Sequence, residues 1–367
     1  MNFLKKLFGV KDKVTITSKE NFWDWFAGRE KEFFAVVKKK ERIDALFLSP
    51  LMLRLQQLNK QFYCLTGMTN ENTAELIITA EGDIKNFVFV EELVAAAPLL
   101  NGWKFTALKP ASGVKDISVE MNGYTFNSST ISFFSNEDPQ RPDKIDINLV
   151  HSDFSEANKK TIINGSFIYL DSVLGELNTA VLIDEIKITG RYDDQPTLIP
   201  MDKLSDFLLW REKEFVEKYQ GTRYNTGNDT HSVFEGKDKK GNPSVGIINH
   251  ELLTWDATPS HPWMLMIEIK YDGKSRNGMP GKETQALMTQ FEEELTAQLP
   301  DHAGYLNLGR ETYNSIRTIY FACNEFRNAS KATHAVATKY ADKLNITYDI
   351  FKDKYWVMMD KFKQVGQ

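Results

Sequence analysis

The order of strand and helix patterns in the C-terminal half constrains the fold more than any other feature of the sequence. A strand pattern at "WMLMIEIKYD" precedes a helical pattern over residues 282–299, and two strand patterns follow at "YLNLGRE" and "IRTIYFACN". A helical pattern over residues 326–343 and a strand pattern at "ITYDIFKD" complete the series. The order β-α-β-β-α-β is that of the ferredoxin-like arrangement, an antiparallel sheet with both helices on one face. We therefore expect that fold, with the second sheet face open to a partner.

Two further elements lead into this series. The stretch "MDKLSDFLLWREKEFVEKY" has the pattern of an amphipathic helix that begins at an Asp or Ser cap. The stretch "THSVFEGKDKKGNPSVGIINHELL" predicts a hairpin, with its turn at Lys239, Lys240, Gly241 and Asn242.

The N-terminal half mixes helical and strand patterns. The stretch "ENFWDWFAGREKEFFAVVKKK" has apolar residues at nearly helical spacing, and a second helix is predicted over residues 42–58 with a break at Pro50. Helical patterns also cover residues 155–164 and "FIYLDSVLGEL", and "AVLIDEIKITG" predicts a strand. The Asn-Gly pair in "ISVEMNGYTFN" predicts a hairpin. This mixture is typical of an α+β domain.

The domain division follows from chain length and from one charged, proline-containing stretch. A chain of 367 residues is too long for one ordinary core, so two domains are expected. Residues 191–200, "RYDDQPTLIP", are the best linker candidate. The predicted parts are a tail at 1–19, an N-terminal α+β domain at 20–190, the linker at 191–200, and a C-terminal ferredoxin-like domain at 201–367 with its leading helix and hairpin.

Composition excludes several classes of protein. The formal net charge of -5 argues against a nucleic-acid binder, because such proteins neutralise many phosphates with Lys and Arg. No run approaches the ~20 apolar residues of a membrane helix, so we expect no integral membrane association. The two cysteines, Cys64 and Cys323, each lie in an apolar stretch. We expect both to be buried and reduced, as in a cytoplasmic protein.

Arg310 and Arg317 flank the predicted turn between two strands. Paired guanidinium groups hold a carboxylate or phosphate through bidentate hydrogen bonds, so the two form a candidate binding site. The alternative is that Arg310 pairs with the neighbouring Glu311 and braces the hairpin. Bracing is the favoured interpretation, with partner recognition as its rival.

Other polar clusters give weaker signals. His250, Asp256 and His261 are weak candidates for a metal site, but their spacing fits neither a zinc-finger nor a His-Glu-x-x-His pattern. Nucleophile and phosphate-loop motifs are missing, so the sequence predicts no catalytic residue and no cofactor. Four carboxylates are predicted to lie on solvated turns rather than to perform acid–base chemistry: Asp171, Glu176, Asp184 and Glu185.

Tryptophans form a third group of candidates. Trp23, Trp25 and Trp356 are predicted to fill cores. If tryptophans were exposed they would form a binding surface, because Trp, Tyr and Arg dominate interface hot spots. Trp263 and Trp356 therefore follow the two arginines as candidate contact residues.

Three stretches resemble a known family: "HPWMLMIEIKY", "LNLGRETYNSIRTIYFACNEF" and "YDIFKDKYWVMM". They are similar to the bacterial family called domain of unknown function 695, over about residues 220–362. The most specific part is the Gly-Arg-x-Thr hairpin followed by an aromatic strand. The same region resembles in layout the regulator of ribonuclease E activity B family, small ferredoxin-like proteins that act by binding another protein.

These features predict a cytoplasmic, non-enzymatic module that binds another protein. The alternative is a hydrolase or nuclease-like enzyme with a site between the two domains. The partner and the oligomeric state stay open.

Overall fold

The structure is a computed structural model that describes residues 14–114, 117–238 and 241–363. The chain forms two compact units. The first runs to Ala111 and includes Gly175–Leu177, and the second contains Ser112–Leu174 and the chain from Asn178 onwards. Two predictions fall partly outside the described residues: the tail, for residues 1–13, and the hairpin turn, for Lys239 and Lys240.

The first unit packs helices against a three-stranded sheet. Its elements are α1 (Lys19–Ala27), α2 (Glu30–Lys39), α3 (Ser49–Leu58), β1 (Tyr63–Asn70), β2 (Thr73–Thr79), α4 (Ile84–Ala95) and β3 (Trp103–Ala107). Strand β2 lies in the centre, antiparallel to β1 and parallel to β3. The parallel pair is joined through α4, since parallel strands require a long crossover connection.

Aromatic side chains fill the core of the first unit. Trp23 and Trp25 are buried, which confirms their predicted core positions. Phe26 is fully buried and packs edge-on against Trp103 with ring centroids 5.0 Å apart. The predicted break at Pro50 is also confirmed: a π-helical turn at Asp44–Leu48 precedes α3, and Pro50 lies in the first turn of α3. Proline is tolerated there because the first amides of a helix have no intrahelical acceptor.

The second unit begins with a four-stranded sheet in the order β8-β7-β6-β9. The strands and helices of this part of the chain are β4 (Val119–Met121), β5 (Tyr124–Phe126), β6 (Ile131–Asn136), β7 (Asp146–His151), α5 (Lys159–Leu174), α6 (Glu176–Leu182), β8 (Glu185–Thr189), β9 (Ile199–Pro200) and α7 (Leu204–Tyr219). Strands β4 and β5 form a separate two-stranded sheet, and the first two residues of α6 belong to the first unit. All six residues of β7 are buried. The core around β7 includes Tyr169 and Leu170 of α5 and Leu204 and Leu208 of α7.

Local patterns in this part are confirmed in some places and wrong in others. Strands β4 and β5 form the predicted Asn-Gly hairpin, and both Asn122 and Gly123 have positive φ, as a two-residue turn requires. The predicted helices at 155–164 and "FIYLDSVLGEL" are a single helix, α5, that ends before Gly175 with φ 79. The strand predicted from residue 180 begins only at Glu185, because the preceding residues belong to α6.

The predicted linker ends within this sheet. Its last two residues, Ile199 and Pro200, form β9 and pair with Phe133 and Ser132 of β6. The main boundary between the two compact units lies between Ala111 and Ser112 rather than within residues 191–200. That residues 20–190 and 201–367 are separate domains stays a prediction.

The C-terminal part contains a six-stranded antiparallel sheet in the order β10-β11-β13-β14-β12-β15. The elements are β10 (His231–Lys237), β11 (Pro243–Asn249), α8 (His250–Leu253), β12 (Trp263–Lys270), α9 (Lys282–Gln298), β13 (Tyr305–Tyr313), β14 (Ile316–Cys323), α10 (Arg327–Tyr340), β15 (Asn345–Lys352) and α11 (Asp360–Lys363). The predicted hairpin of β10 and β11 and the predicted order from β12 to β15 are confirmed. The protein is therefore a mixed α and β protein.

The second face of this sheet is not open as the sequence predicts. A buried cluster joins Met264 and Tyr320 of the sheet to Trp356, Met359 and Phe362 of the C-terminal segment. Alternate residues of a strand point to opposite faces, so the helices cover one set and this segment covers much of the other. The prediction was wrong because the apolar residues after β15 fold back onto the sheet.

Helices α9 and α10 are amphipathic. Met288, Phe291, Glu292 and Leu295 are the buried residues of α9. Among the described residues, no helix has both the length and the apolar character needed to cross a membrane.

Candidate functional site

Arg310 is part of an ion pair beneath α9. Its Nη1 donates to both carboxylate oxygens of Glu292, at 3.1 Å each, and Glu292 is buried. The predicted pairing with Glu311 is wrong, because adjacent strand residues point to opposite faces. Glu311 accepts from Lys361 on the other side of the sheet instead. Arg310 thus joins a strand to a helix.

Arg317 is buried beside the same ion pair. Its Nε donates to Thr312 Oγ1 at 3.1 Å, while Nη1 has no hydrogen-bond partner among the described residues. Burial, followed by the charge of Arg310, lowers the pKa of the Arg317 guanidinium. The residue is 5% exposed. This geometry favours bracing for both arginines, and partner contact stays a prediction.

The two predicted contact tryptophans are buried. Trp263 is 6% exposed and packs edge-on against Phe326 at 4.9 Å between ring centroids. Trp356 is 1% exposed, as the core prediction for it requires, and its Nε1 donates to the His261 carbonyl at 3.0 Å. A role as contact residues stays a prediction, and their burial favours packing.

The weak metal candidates do not form a metal cluster. No group of three or more His, Cys, Asp or Glu side chains within residues 14–114, 117–238 and 241–363 has the arrangement to hold a metal ion. His261 is buried, with Nδ1 2.8 Å from Ser260 Oγ, and burial lowers its pKa to about 4. His250 lies on α8 with Nδ1 3.2 Å from Ser232 Oγ, and Asp256 is exposed.

A buried charge cluster of the second unit surrounds Asp184, between α6 and β8. One carboxylate oxygen, Oδ2, accepts from the Ile145 amide at 2.7 Å and from Lys354 Nζ at 2.9 Å. The other, Oδ1, lies 3.2 Å from Lys352 Nζ. The Asp184 side chain is only 5% exposed, so one carboxylate neutralises two buried ammonium groups incompletely.

Lys354 has a complete set of partners. Its Nζ donates to the Asp143 carbonyl at 2.8 Å as well as to Asp184, and lies 4.2 Å from the centre of the Phe215 ring. The Asp143 carboxylate in turn accepts from Tyr219 and Tyr355. These hydrogen bonds, together with that of Lys218, lower the pKa of Asp143 against the opposing effect of its burial.

Lys352 lies beside a cavity of about 300 Å³. Its Nζ donates to the Val181 carbonyl at 2.6 Å in addition to pairing with Asp184. Burial, partly offset by Asp184, lowers the pKa of Lys352 to about 8. The cavity lining is highly charged and consists of Arg141, Lys144, Asp184, Glu185, Lys352, Asp353, Lys354, Tyr355 and Val357.

Helix α7 exposes apolar side chains on its outer side. Leu209, Trp210 and Val216 are 58%, 55% and 51% exposed. The buried residues of this helix are Leu204 and Leu208, which belong to the core around β7. An exposed tryptophan between two exposed aliphatic residues is a typical feature of protein-binding surfaces.

Comparison with known families concerns the part of the chain that contains β11 to β15 and both arginines. Residues 238–362 match DUF695, a family of unknown function. The sequence resemblance to that family is confirmed over this range. No curated protein and no solved structure matches the chain. The likeness to the regulator of ribonuclease E activity B family stays a prediction.

The DUF695 region supplies one wall of the charged cavity. Lys352 and Lys354 lie within residues 238–362, whereas Arg141, Lys144 and Asp184 come from outside it. The cavity therefore combines the DUF695 region with the preceding sheet of the same compact unit.

Sequence reasoning missed most of this cavity. It placed Asp184 and Glu176 on solvated turns, which is wrong: Glu176 is 1% exposed and accepts from the amides of Gly82 and Lys109. Lys352 and Lys354 were not singled out. Their spacing of two places both on one side of an extended segment, but the carboxylate that pairs with them lies about 170 residues earlier.

Proposed function

We propose that the protein is a cytoplasmic, non-enzymatic module that binds another protein through the outer face of α7. The observation that carries this proposal is the exposure of Leu209, Trp210 and Val216 on one helix. No helix needs apolar residues on its solvent side in order to pack on a core, so a second apolar face favours a second binding surface.

The inner face of α7 is already occupied. Phe207 packs against Phe133 with ring centroids 5.8 Å apart, and Leu204 and Leu208 are fully buried. Leu209 and Val216 are seven residues apart and lie along one line of the helix, and Trp210 lies about a quarter-turn away. Leu209, Trp210 and Val216 are therefore not needed to pack α7 on the core.

Charged residues separate the exposed apolar side chains. Lys213 and Glu217 pair at 3.7 Å between Nζ and a carboxylate oxygen, and both are well exposed. A matched pair of opposite charges gives no net preference for an acidic or a basic partner. The expected partner therefore has an apolar recess for Trp210 and Leu209, with a polar rim.

We propose a ferredoxin-like fold for residues 263–352. The sheet order β13-β14-β12-β15, with α9 and α10 as the two connecting helices, supports it. The hairpin β10–β11 extends this sheet beside β13. A fold does not define a function, so it carries no part of the binding argument.

Buried thiols support the cytoplasmic assignment. Cys64 and Cys323 are free and buried, and burial raises the pKa of Cys64 to about 12. Such thiols are inert and persist in a reducing compartment. The enzyme alternative, a hydrolase or nuclease-like site, stays a prediction.

The test is a quantitative pull-down after chemical cross-linking in the source cells, read by mass spectrometry. The variant is Leu209→Ser/Trp210→Ser, and the control is Leu53→Ser, which changes an equally exposed leucine of α3. We expect a near-stoichiometric partner with wild type and control, and at least a tenfold loss with the double variant, since truncating one hot spot costs ~2 kcal/mol or more. Equal recovery with all three proteins would contradict the assignment to α7, and recovery of no partner would contradict the binding function itself.

A further inference from the structure

The charged cavity beside Lys352 has features that its structural ion pairs do not explain. Its volume of about 300 Å³ is at the small end of the range for ligand sites. Four cationic and three acidic side chains line it, so the lining carries one formal positive charge. A partly buried positive charge that no neighbouring acid neutralises is costly unless an anion binds to it.

Several of these charges are committed to the fold. Lys144 lies between Asp146 at 3.1 Å and Glu185 at 3.4 Å. The Asp353 carboxylate accepts from the amides of Val357 and Met358 and so caps the turn after β15. Lys354, described above, has acceptors for its ammonium group in Asp143 and Asp184 and a ring beneath it.

Lys352 and Arg141 are different. An ammonium group has three N–H donors, and Lys352 Nζ has two acceptors among the described residues, the Val181 carbonyl and Asp184. The Arg141 guanidinium is half-buried and has no hydrogen-bond or ion-pair partner in the described part of the chain. The cavity is therefore lined by an N–H group of Lys352 and by the guanidinium group of Arg141, neither of which has an acceptor among the described residues.

We propose that this cavity binds a small molecule through a carboxylate group held by Arg141 and Lys352. Arginine binds a carboxylate through two parallel hydrogen bonds, and the lysine adds a third from a largely desolvated position. Lys144 is paired with Asp146 and Glu185, and both Lys352 and Lys354 are paired with Asp184, so Arg141 is the lining cation without an acid partner among the described residues. Its single positive charge matches a monoanion, whereas a phosphate monoester carries close to two negative charges at pH 7.

The lowered pKa of Lys352 agrees with this assignment. Its cause is burial, to which the cationic neighbour Lys354 adds, and the negative charges of Asp184 and Glu212 offset these effects only in part. A bound carboxylate supplies the missing negative charge and stabilises the protonated amine.

The experiment uses the full chain and three probes at pH 7 and constant ionic strength: sodium benzoate, benzyl alcohol as its neutral counterpart, and inorganic phosphate. Saturation-transfer NMR detects binding, and titration gives Kd. We expect benzoate to bind wild type and benzyl alcohol not to bind. In Arg141→Ala, and separately in Lys352→Met, Kd for benzoate should rise roughly tenfold or more, the effect of losing one charged hydrogen-bonding group.

The choice of variants separates a loss of binding from a loss of folding. Arg141→Ala removes a side chain that has no hydrogen-bond or ion-pair partner among the described residues, so we expect the fold to stay intact. Arg191→Ala, which changes an exposed arginine outside the cavity, should leave Kd unchanged. Equal Kd values in wild type and Arg141→Ala, no benzoate binding to wild type, or equal binding of benzyl alcohol would overturn the proposal. Tighter binding of phosphate than of benzoate would overturn the choice of carboxylate. None of these outcomes bears on the outer face of α7.

Discussion

Replacing His261 should make the protein less sensitive to acid. The imidazole is 1% exposed, lies edge-on against Trp255 at 5.4 Å between ring centroids, and has an Nε2 atom without a hydrogen-bond partner in the described part of the chain. Burial is the main reason that its pKa falls to about 4, and the charge of Arg223 adds to it. The folded protein therefore keeps His261 neutral in a pH range where the unfolded chain protonates it.

The magnitude follows from the two pKa values. The unfolded imidazole titrates at about 6.5 and the folded one at about 4. Between these values the unfolded state binds more protons, so the free energy of unfolding falls as the pH falls. At about 1.4 kcal/mol for each pKa unit, the loss reaches about 3 kcal/mol across the window, most of it by pH 4.5.

The assay is urea unfolding of wild type and His261→Gln from pH 7 to pH 4.5, followed by tryptophan fluorescence. Glutamine does not titrate there, so the difference in unfolding free energy between the proteins should shift by about 2.5 kcal/mol in favour of the variant on acidification. Carboxylates titrate in both proteins and cancel. Parallel pH curves, or an NMR titration of His261 centred near 6.5, would refute the reasoning.

Arg310→Ala leaves the buried Glu292 without its cation, so we expect the free energy of unfolding to fall by about 3 kcal/mol. Arg317→Met removes a buried cation whose Nη1 has no partner among the described residues, so the free energy of unfolding should fall by less than about 1 kcal/mol. Thermal unfolding compares the two variants, and the reverse order of stability would show that Arg317, rather than Arg310, stabilises this part of the fold. Gly309→Ala should cost more than ~3 kcal/mol, because φ is 120° and a Cβ would lie 2.2 Å from a carbonyl oxygen of the neighbouring strand. Gly236→Ala on the edge strand β10, where a Cβ meets nothing within 4 Å, is its control, and equal urea midpoints would be the contrary result.

Elements set by local periodicity were predictable from the sequence. The helix predicted over residues 282–299 is α9, Lys282–Gln298, because its apolar residues recur on one face. The Asn122–Gly123 turn was predictable for a similar reason, since few residue pairs adopt positive φ at both positions. Both inferences need only a few neighbouring residues.

The charged cavity and the covered sheet face were not predictable, because each depends on partners distant in the sequence. In the sequence, Asp184 is only a polar residue beside a strand. Its role in the cavity becomes evident only in the folded chain, where Lys352 and Lys354 lie next to it. Likewise Trp356 and Phe362 read as generic core residues, and nothing local shows which surface they cover. Glu311 shows a smaller error of the same kind: adjacency in sequence suggested a pair that strand geometry separates.

The fold-back of the segment after β15 has a consequence for how the protein is made. During synthesis, strands β11 to β14 are made before Trp356, Met359 and Phe362, so Met264, Leu306 and Tyr320 have no cover for the greater part of translation of this region. The nascent chain then presents a wide apolar sheet surface to chaperones and to other chains. The sheet completes its second core only after the segment that follows β15 has been translated, and so this half of the protein reaches its native state late in its own synthesis.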